Sequence, residues 1–157
     1  GAVGHSAGGF AATKAALTRP DVYKVAVALA GNHDNRLYNA SWGEAFDDSG
    51  HGVNGRSSNV ELTELRARLL LMHGGMDDNV LPDHTLRLVS RLVEADQDVD
   101  MLMLPRAEHS FYGYEHHVLR RTWDYLARHL LTREPPSYRL GRIPPSTAVL
   151  SRVFDAP

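Results

Sequence analysis

An α/β domain, with a mostly parallel sheet flanked by helices, is predicted by three observations on this sequence. Short apolar runs bounded by Gly and Pro alternate with stretches of helical periodicity. Polar residues able to do chemistry fall directly after those apolar runs, where parallel sheets gather their active groups. The chain also opens on Gly4-His5-Ser6-Ala7-Gly8-Gly9, a Gly-x-Ser-x-Gly elbow in which a strand turns abruptly into a helix.

The elements follow in order. Ala2 and Val3 are the end of the strand that leads into the elbow, and the Ala-rich segment Ala7 to Leu17 is the helix that leads out. Arg19-Pro20-Asp21 ends that helix, because proline has no N–H to continue it. Tyr23 to Ala30 is an apolar run between Pro20 and Gly31, the pattern of a strand buried on both faces. From Gly31 to Ser58 the chain is rich in Gly, Asn, Asp and Ser with scattered aromatics, a long loop with room for one short helix. Loops of that length in compact domains are usually functional. Val60 to Ala67 is expected to be a short helix, and Leu69 to Met72 a second buried strand ending at His73-Gly74-Gly75. A helix over 83–95 would bury Leu86, Val89, Leu92 and Val93. Val99 to Leu104 is the next strand. A helix over 115–131 then carries an apolar stripe of Leu119, Trp123, Leu126 and Leu130. Residues 1–132 form the domain. Residues 133–157, with Pro135-Pro136 and Pro144-Pro145, are expected to be an irregular tail.

Composition narrows the function. At 157 residues, 43% apolar and 23% charged, the chain has the make-up of a globular domain. A net charge of -2, from 17 basic against 19 acidic residues, lacks the basic excess that draws in nucleic acid. No apolar run approaches the roughly 20 residues that span a bilayer. The absence of cysteine excludes thiol nucleophiles and Cys-ligated metals, and is compatible with cytoplasm and periplasm alike. Nine histidines do not amount to a metal site: His116 and His117 are adjacent on a helix and point to different faces, and no His-Glu-x-x-His spacing occurs. His5 and His73 are read as structural hydrogen-bonding groups around the active loops. Asn39-Ala40-Ser41 fits a glycosylation acceptor, a pattern common by chance, and Asp47-Asp48 is a solvated turn.

A serine hydroxyl is a poor nucleophile at neutral pH and needs a base in reach, with a carboxylate to orient that base. The loop after the second long apolar run reads His73-Gly74-Gly75-Met76-Asp77-Asp78-Asn79-Val80, and the loop after the next reads Arg106-Ala107-Glu108-His109-Ser110-Phe111. Ser6, then Asp77 or Asp78, then His109 is the chain order of the α/β-hydrolases. With only Ala2 and Val3 ahead of the elbow, the expected fold is the C-terminal part of an α/β-hydrolase, its N-terminal strands lying outside this chain.

The elbow, the Asp77-Asp78-Asn79-Val80 loop and Glu108-His109 before an amphipathic helix together resemble the prolyl oligopeptidase family, most of all its dipeptidyl peptidase IV branch. The resemblance runs from Gly1 to about Leu131. It implies a serine peptidase with Ser6 as nucleophile, His109 as base and Asp77 as acid, since the family's acid lies three residues after the loop glycine (Gly74) and three before a valine (Val80). Asp78 is the alternative, otherwise read as a cap for the helix beginning near Pro82. Ala7 would give one oxyanion-hole N–H. The second donor in the family is a tyrosine ahead of the elbow, outside this chain. Asn79 resembles a substrate-carbonyl anchor, Tyr38 and Trp42 resemble pocket aromatics, and Val80 would add an apolar wall. Ala7 itself departs from the branch, where a large aromatic is usual. The resemblance implies no cofactor. It implies a peptide substrate, the missing N-terminal part of the same domain, a β-propeller elsewhere in the enzyme, and an open sheet edge that could bring copies together. The isolated segment is expected to be inactive or nearly so. A carboxylesterase or acyl transferase is a rival within the same fold, and a non-catalytic interaction module is a rival outside it.

Overall fold

The structure is a computed structural model and describes residues 1–38 and 58–142. Four strands form one parallel sheet in the order β1 (Ala2–His5), β2 (Val25–Leu29), β3 (Arg68–Gly74) and β4 (Asp100–Leu104). Helices α1 (Ala7–Thr18), α2 (Asp83–Glu94) and α3 (Glu115–His129) follow β1, β3 and β4; α1 and α2 are the crossovers that parallel pairing requires between β1 and β2 and between β3 and β4. The segment after β2 forms one 3-10 turn, Asn35–Leu37.

Alternation along the central strands divides the core in two. Ala26, Ala28, Leu69 and Leu71 face one side, where they meet Ala16 and Leu17 of α1 and Leu88 and Leu92 of α2. Val25, Val27, Leu70 and Met72 face the other, against Val118 and Tyr125 of α3 and Phe111 of the preceding loop. Both faces of β2 and β3 are therefore covered, which is why their sequences read as unbroken apolar runs. β1 pairs on one side only among the described residues, and Val3 is half exposed.

Three expectations are corrected. Residues 60–67 are not a helix; a turn at Val60–Glu61 leads into an irregular run. Its backbone finds a tertiary partner instead: Leu65 N–H donates to the Gln97 side chain at 3.0 Å, while Val60, Leu65 and Ala67 sink into the core. α2 buries His84, Thr85, Leu88 and Leu92, leaving Leu86 and Val93 exposed. Two polar residues occupy the inner face because each has a buried partner: Asp34 N–H donates to His84 Nδ1 at 3.2 Å, and Thr85 Oγ1 lies 2.7 Å from His73 Nδ1.

α3 is turned by one residue from the expected stripe. It buries Val118, Thr122 and Tyr125, while Leu119, Trp123 and Leu130 are exposed and Leu126 is partly buried. The Tyr125 hydroxyl donates to Asp100 at 2.7 Å and the Thr122 hydroxyl to the Val118 carbonyl at 2.9 Å, so neither is buried without a partner. Residues 133–142 hold no helix or strand. The rest of the expected tail lies outside the described residues, as do Trp42, the Asn39-Ala40-Ser41 pattern and Asp47-Asp48. Among the described residues no helix is long and apolar enough to cross a membrane, and no cluster of His, Asp and Glu could hold a metal ion.

Candidate active site

The elbow is set by backbone geometry. Ser6 joins β1 to α1 at φ 56 and ψ -122, a conformation an L-residue adopts only under constraint. Ser6 N–H donates to the Leu29 carbonyl at 2.8 Å, tying the turn to the end of β2. The chain then doubles back so tightly that a Cβ on Gly4 would stand 2.0 Å from the Gly8 carbonyl oxygen, and one on Gly9 2.8 Å from the Leu29 carbonyl. A Cβ on Gly8 would meet open space, so the steric requirement rests on Gly4 and Gly9. Ala7 is exposed at the first position of α1, where the helix ladder makes no use of its N–H.

The second and third loops are knitted to each other. Gly75 N–H donates to the Leu104 carbonyl at 2.8 Å and Met76 N–H to the Ala107 carbonyl at 3.0 Å. That closeness explains Gly74-Gly75: a Cβ on Gly74 would lie 2.3 Å from the Ala107 carbonyl oxygen, and one on Gly75 2.7 Å from that of Pro105. Ala107 and Phe111 are buried on either side of His109 and hold its loop down.

Within this frame Asp77 meets His109. The Asp77 carboxylate is 2% exposed, and its Oδ2 accepts from His109 Nδ1 at 2.8 Å. Oδ1 accepts from the backbone N–H groups of Asn79 at 3.0 Å and Val80 at 2.8 Å. Burial pushes this carboxyl up, but hydrogen bonds from His109, His73 and Val80 outweigh it and hold the pKa well below the usual carboxylate range. Asp77 is thus a charged acceptor with its lone pairs directed.

From the other side, His5 Nε2 donates to the His109 carbonyl at 2.8 Å, and the two rings lie 4.7 Å apart. His5 immediately precedes Ser6, so this contact docks the elbow on the loop of His109. Burial lowers the His5 pKa from its ordinary value.

The remaining expected residues are spread around the acid loop. Asp78 is exposed and makes no cap: Pro82 sits at the start of α2 with no side-chain capping bond. Asn79 Oδ1 accepts from the Tyr38 hydroxyl at 2.9 Å, and both residues line an open cleft of about 360 Å³ with Leu37, Asp78, Leu81 and His84. Val80 is wholly buried, outside the lining of that cleft, with its backbone engaged by Asp77 and His73.

Sequence reasoning missed a polar group under the entrance to the long loop. The buried Asp34 carboxylate is clasped by Arg36 at 2.7 Å and 3.0 Å, with Arg87 at 3.5 Å, and Arg36 also reaches Glu61 at 2.9 Å. Asp34 further bridges Ser58, and Asn59 Nδ2 donates to the Phe10 carbonyl of α1 at 3.0 Å. The only sequence signal was the close spacing of Asp34 and Arg36; their remaining partners come from distant elements.

Known proteins resemble this chain in sequence and in fold. The sequence model of the prolyl oligopeptidase family matches residues 1–133. Mouse dipeptidyl peptidase 8 is 30% identical over 143 residues, covering 83% of this chain and 16% of its own length. A Caenorhabditis elegans dipeptidyl peptidase family member 1 is 30% identical over 129 residues, covering 78% of this chain and 16% of its own. Among solved structures, Porphyromonas gingivalis dipeptidyl peptidase 4 superposes with a TM-score of 0.73 at 27% identity, over 81% of this chain and 19% of that one. The chain therefore spans under a fifth of the length of these relatives. With the family match running from the elbow through the Asp77 and His109 loops and on past α3, the chain belongs to the prolyl oligopeptidase family.

Proposed function

We propose that this chain carries the catalytic groups of a serine peptidase that hydrolyses oligopeptides through an acyl-enzyme. The observation that carries the reading is the 2.8 Å bond between His109 Nδ1 and the buried Asp77 carboxylate, beside an elbow that presents Ser6. A carboxylate on Nδ1 leaves Nε2 of His109 as the basic nitrogen. There it takes the Ser6 proton as Oγ attacks the scissile carbonyl. The same nitrogen returns that proton to the departing amine. A water molecule deprotonated by His109 then attacks the ester carbonyl, and His109 passes that proton to Ser6 Oγ as the acid is released. Asp77 stabilises the imidazolium that forms in both halves. The N–H of Ala7 donates to the oxyanion, and the resemblance assigns the second donor to a tyrosine ahead of the elbow.

In the same reading, Asn79 and Tyr38 face the peptide across the cleft they line. Val80 acts as backing for the loop, and Trp42 is a pocket aromatic on resemblance alone. The names of the relatives favour release of N-terminal dipeptides. A β-propeller that filters substrates, and association of copies, belong to the same proposal.

A fluorophosphonate should label the full-length protein at Ser6, and Ser6→Ala should abolish that labelling. Dipeptidyl amides should be turned over in preference to short acyl esters. Equal labelling of Ser6→Ala would overturn the nucleophile, and a preference for esters would overturn the peptidase.

A further inference from the structure

Asp77 makes three hydrogen bonds and one further close polar contact, and they differ in kind. Oδ1 is held by two backbone N–H groups, which by themselves fix the plane of the carboxylate. Oδ2 receives His109 Nδ1 at 2.8 Å, and a second histidine also reaches it: His73 Nε2 lies 3.2 Å away. His73 is fully buried at the end of β3 and cannot swing clear.

Its tautomer follows from its partners. Nε2 also lies 2.9 Å from the Val80 carbonyl oxygen. Carbonyl and carboxylate can only accept, so Nε2 carries the proton and shares it between them. In the neutral ring Nδ1 is then the acceptor, and the buried Thr85 hydroxyl, 2.7 Å away in the first turn of α2, donates to it. The result is a chain of donors from Thr85 to His73 to Asp77, ending on the same oxygen that serves His109.

We infer that His73 is a positioning residue that acts through Asp77, setting how strongly the carboxylate stabilises the charged form of His109. The inference rests on the reading of Ser6, Asp77 and His109 as the catalytic groups. A carboxylate oxygen that shares its charge with a second donor has less to offer the first. Removing the His73 N–H leaves Oδ2 to His109 alone, while the two backbone bonds to Oδ1 keep the carboxylate in place. The bond from His109 Nδ1 to Oδ2 then strengthens. The other ionisable groups nearby stay where they are: His5 against the His109 ring, and His33 and His84 near His73, with Asp34, Asp83 and Arg87 beyond His84.

The test is the rate of fluorophosphonate labelling of Ser6 against pH in the full-length protein. In His73→Leu the midpoint of the acid limb should rise by about half a pH unit. His73→Gln, which keeps an N–H near the Nε2 position, should return it toward the wild-type value. Thr85→Val, nearly isosteric, weakens the donor by leaving Nδ1 without its hydroxyl and should give a smaller rise; it decides the matter if His73→Leu does not fold. An unmoved or lowered midpoint in the folded variants overturns the role of His73 while leaving the peptidase reading intact. Absence of labelling at Ser6 in the wild type overturns both.

Discussion

The elbow around Ser6 and the loop around Asp77 hold their residues in place by opposite means. Ser6 is partly exposed, and its position comes from covalent geometry: a left-handed φ, and glycines where the chain crosses itself. Asp77 is buried, and its position comes from donors supplied by Asn79, Val80, His73 and His109. The difference follows from the chemistry each reading requires. A nucleophile must project toward substrate, so side-chain packing cannot hold it and the backbone has to. A carboxylate that stays charged away from water must have its lost hydration replaced by hydrogen bonds.

The largest effect that could break this contrast is chemical. Asp77→Asn should lower kcat by about three to four orders of magnitude, because the amide can turn its N–H toward His109 and impose the wrong tautomer. Asp78→Asn, on the exposed neighbour, should cost less than about tenfold. Steady-state kinetics on both variants would decide; the reverse ranking would move the acid to Asp78.

Next comes a steric effect confined to the elbow. Gly4→Ala places a methyl 2.0 Å from the backbone oxygen of Gly8, where only a backbone shift can relieve it. It should destabilise the fold by about 3 kcal/mol. Gly8→Ala adds its methyl to open space on a helix and should be neutral or stabilising by up to about 1 kcal/mol. Equal losses in denaturant unfolding would mean that the crossing at Gly4 does not govern the turn.

The last effect concerns the seam between the two regions. His33 is fully buried, its Nδ1 paired with Asn59 Nδ2 at 3.2 Å, and Asn59 is bonded to α1. Burial, with His73 and His84 adding to it, pushes its pKa down from 6.5 to about 3. The unfolded chain therefore takes up this proton at a pH where the fold does not. The contribution to stability is complete above pH 6.5 and is lost progressively as the pH falls toward 3. Asp77, with its pKa depressed, adds a loss only below its ordinary value of 3.8. The melting temperature should thus begin to fall well before carboxylates titrate. His33→Asn, which can keep an acceptor for Asn59, should flatten that early fall; parallel curves for the two proteins would remove His33 from the account.

Much of the contrast was legible in the sequence, though unevenly. The elbow declares itself because its constraints act within a few residues: glycine is required where Cβ would strike the chain's own backbone. The runs at 25–29 and 68–74 were legible because both of their faces are apolar. The helix faces were misread because periodicity weighs apolarity alone. His84, Thr85 and Tyr125 face inward because each finds a hydrogen-bond partner from a distant element, and nothing local to them announces it. The segment 60–67 failed as a helix for a related reason: the Leu65 N–H goes to the Gln97 side chain, which is remote in sequence, and Val60, Leu65 and Ala67 sink into the core.

By itself the sequence determined the α/β rhythm, the elbow at Ser6 and the two loops that hold Asp77, Asp78 and His109. Tertiary structure decided which aspartate meets His109, that Asp78 faces solvent, and that His5 and His73 bear on the site from two sides. The physical reason is range. Backbone sterics act between neighbours and leave their mark in local composition, whereas a buried charge is satisfied by donors from wherever the fold can bring them.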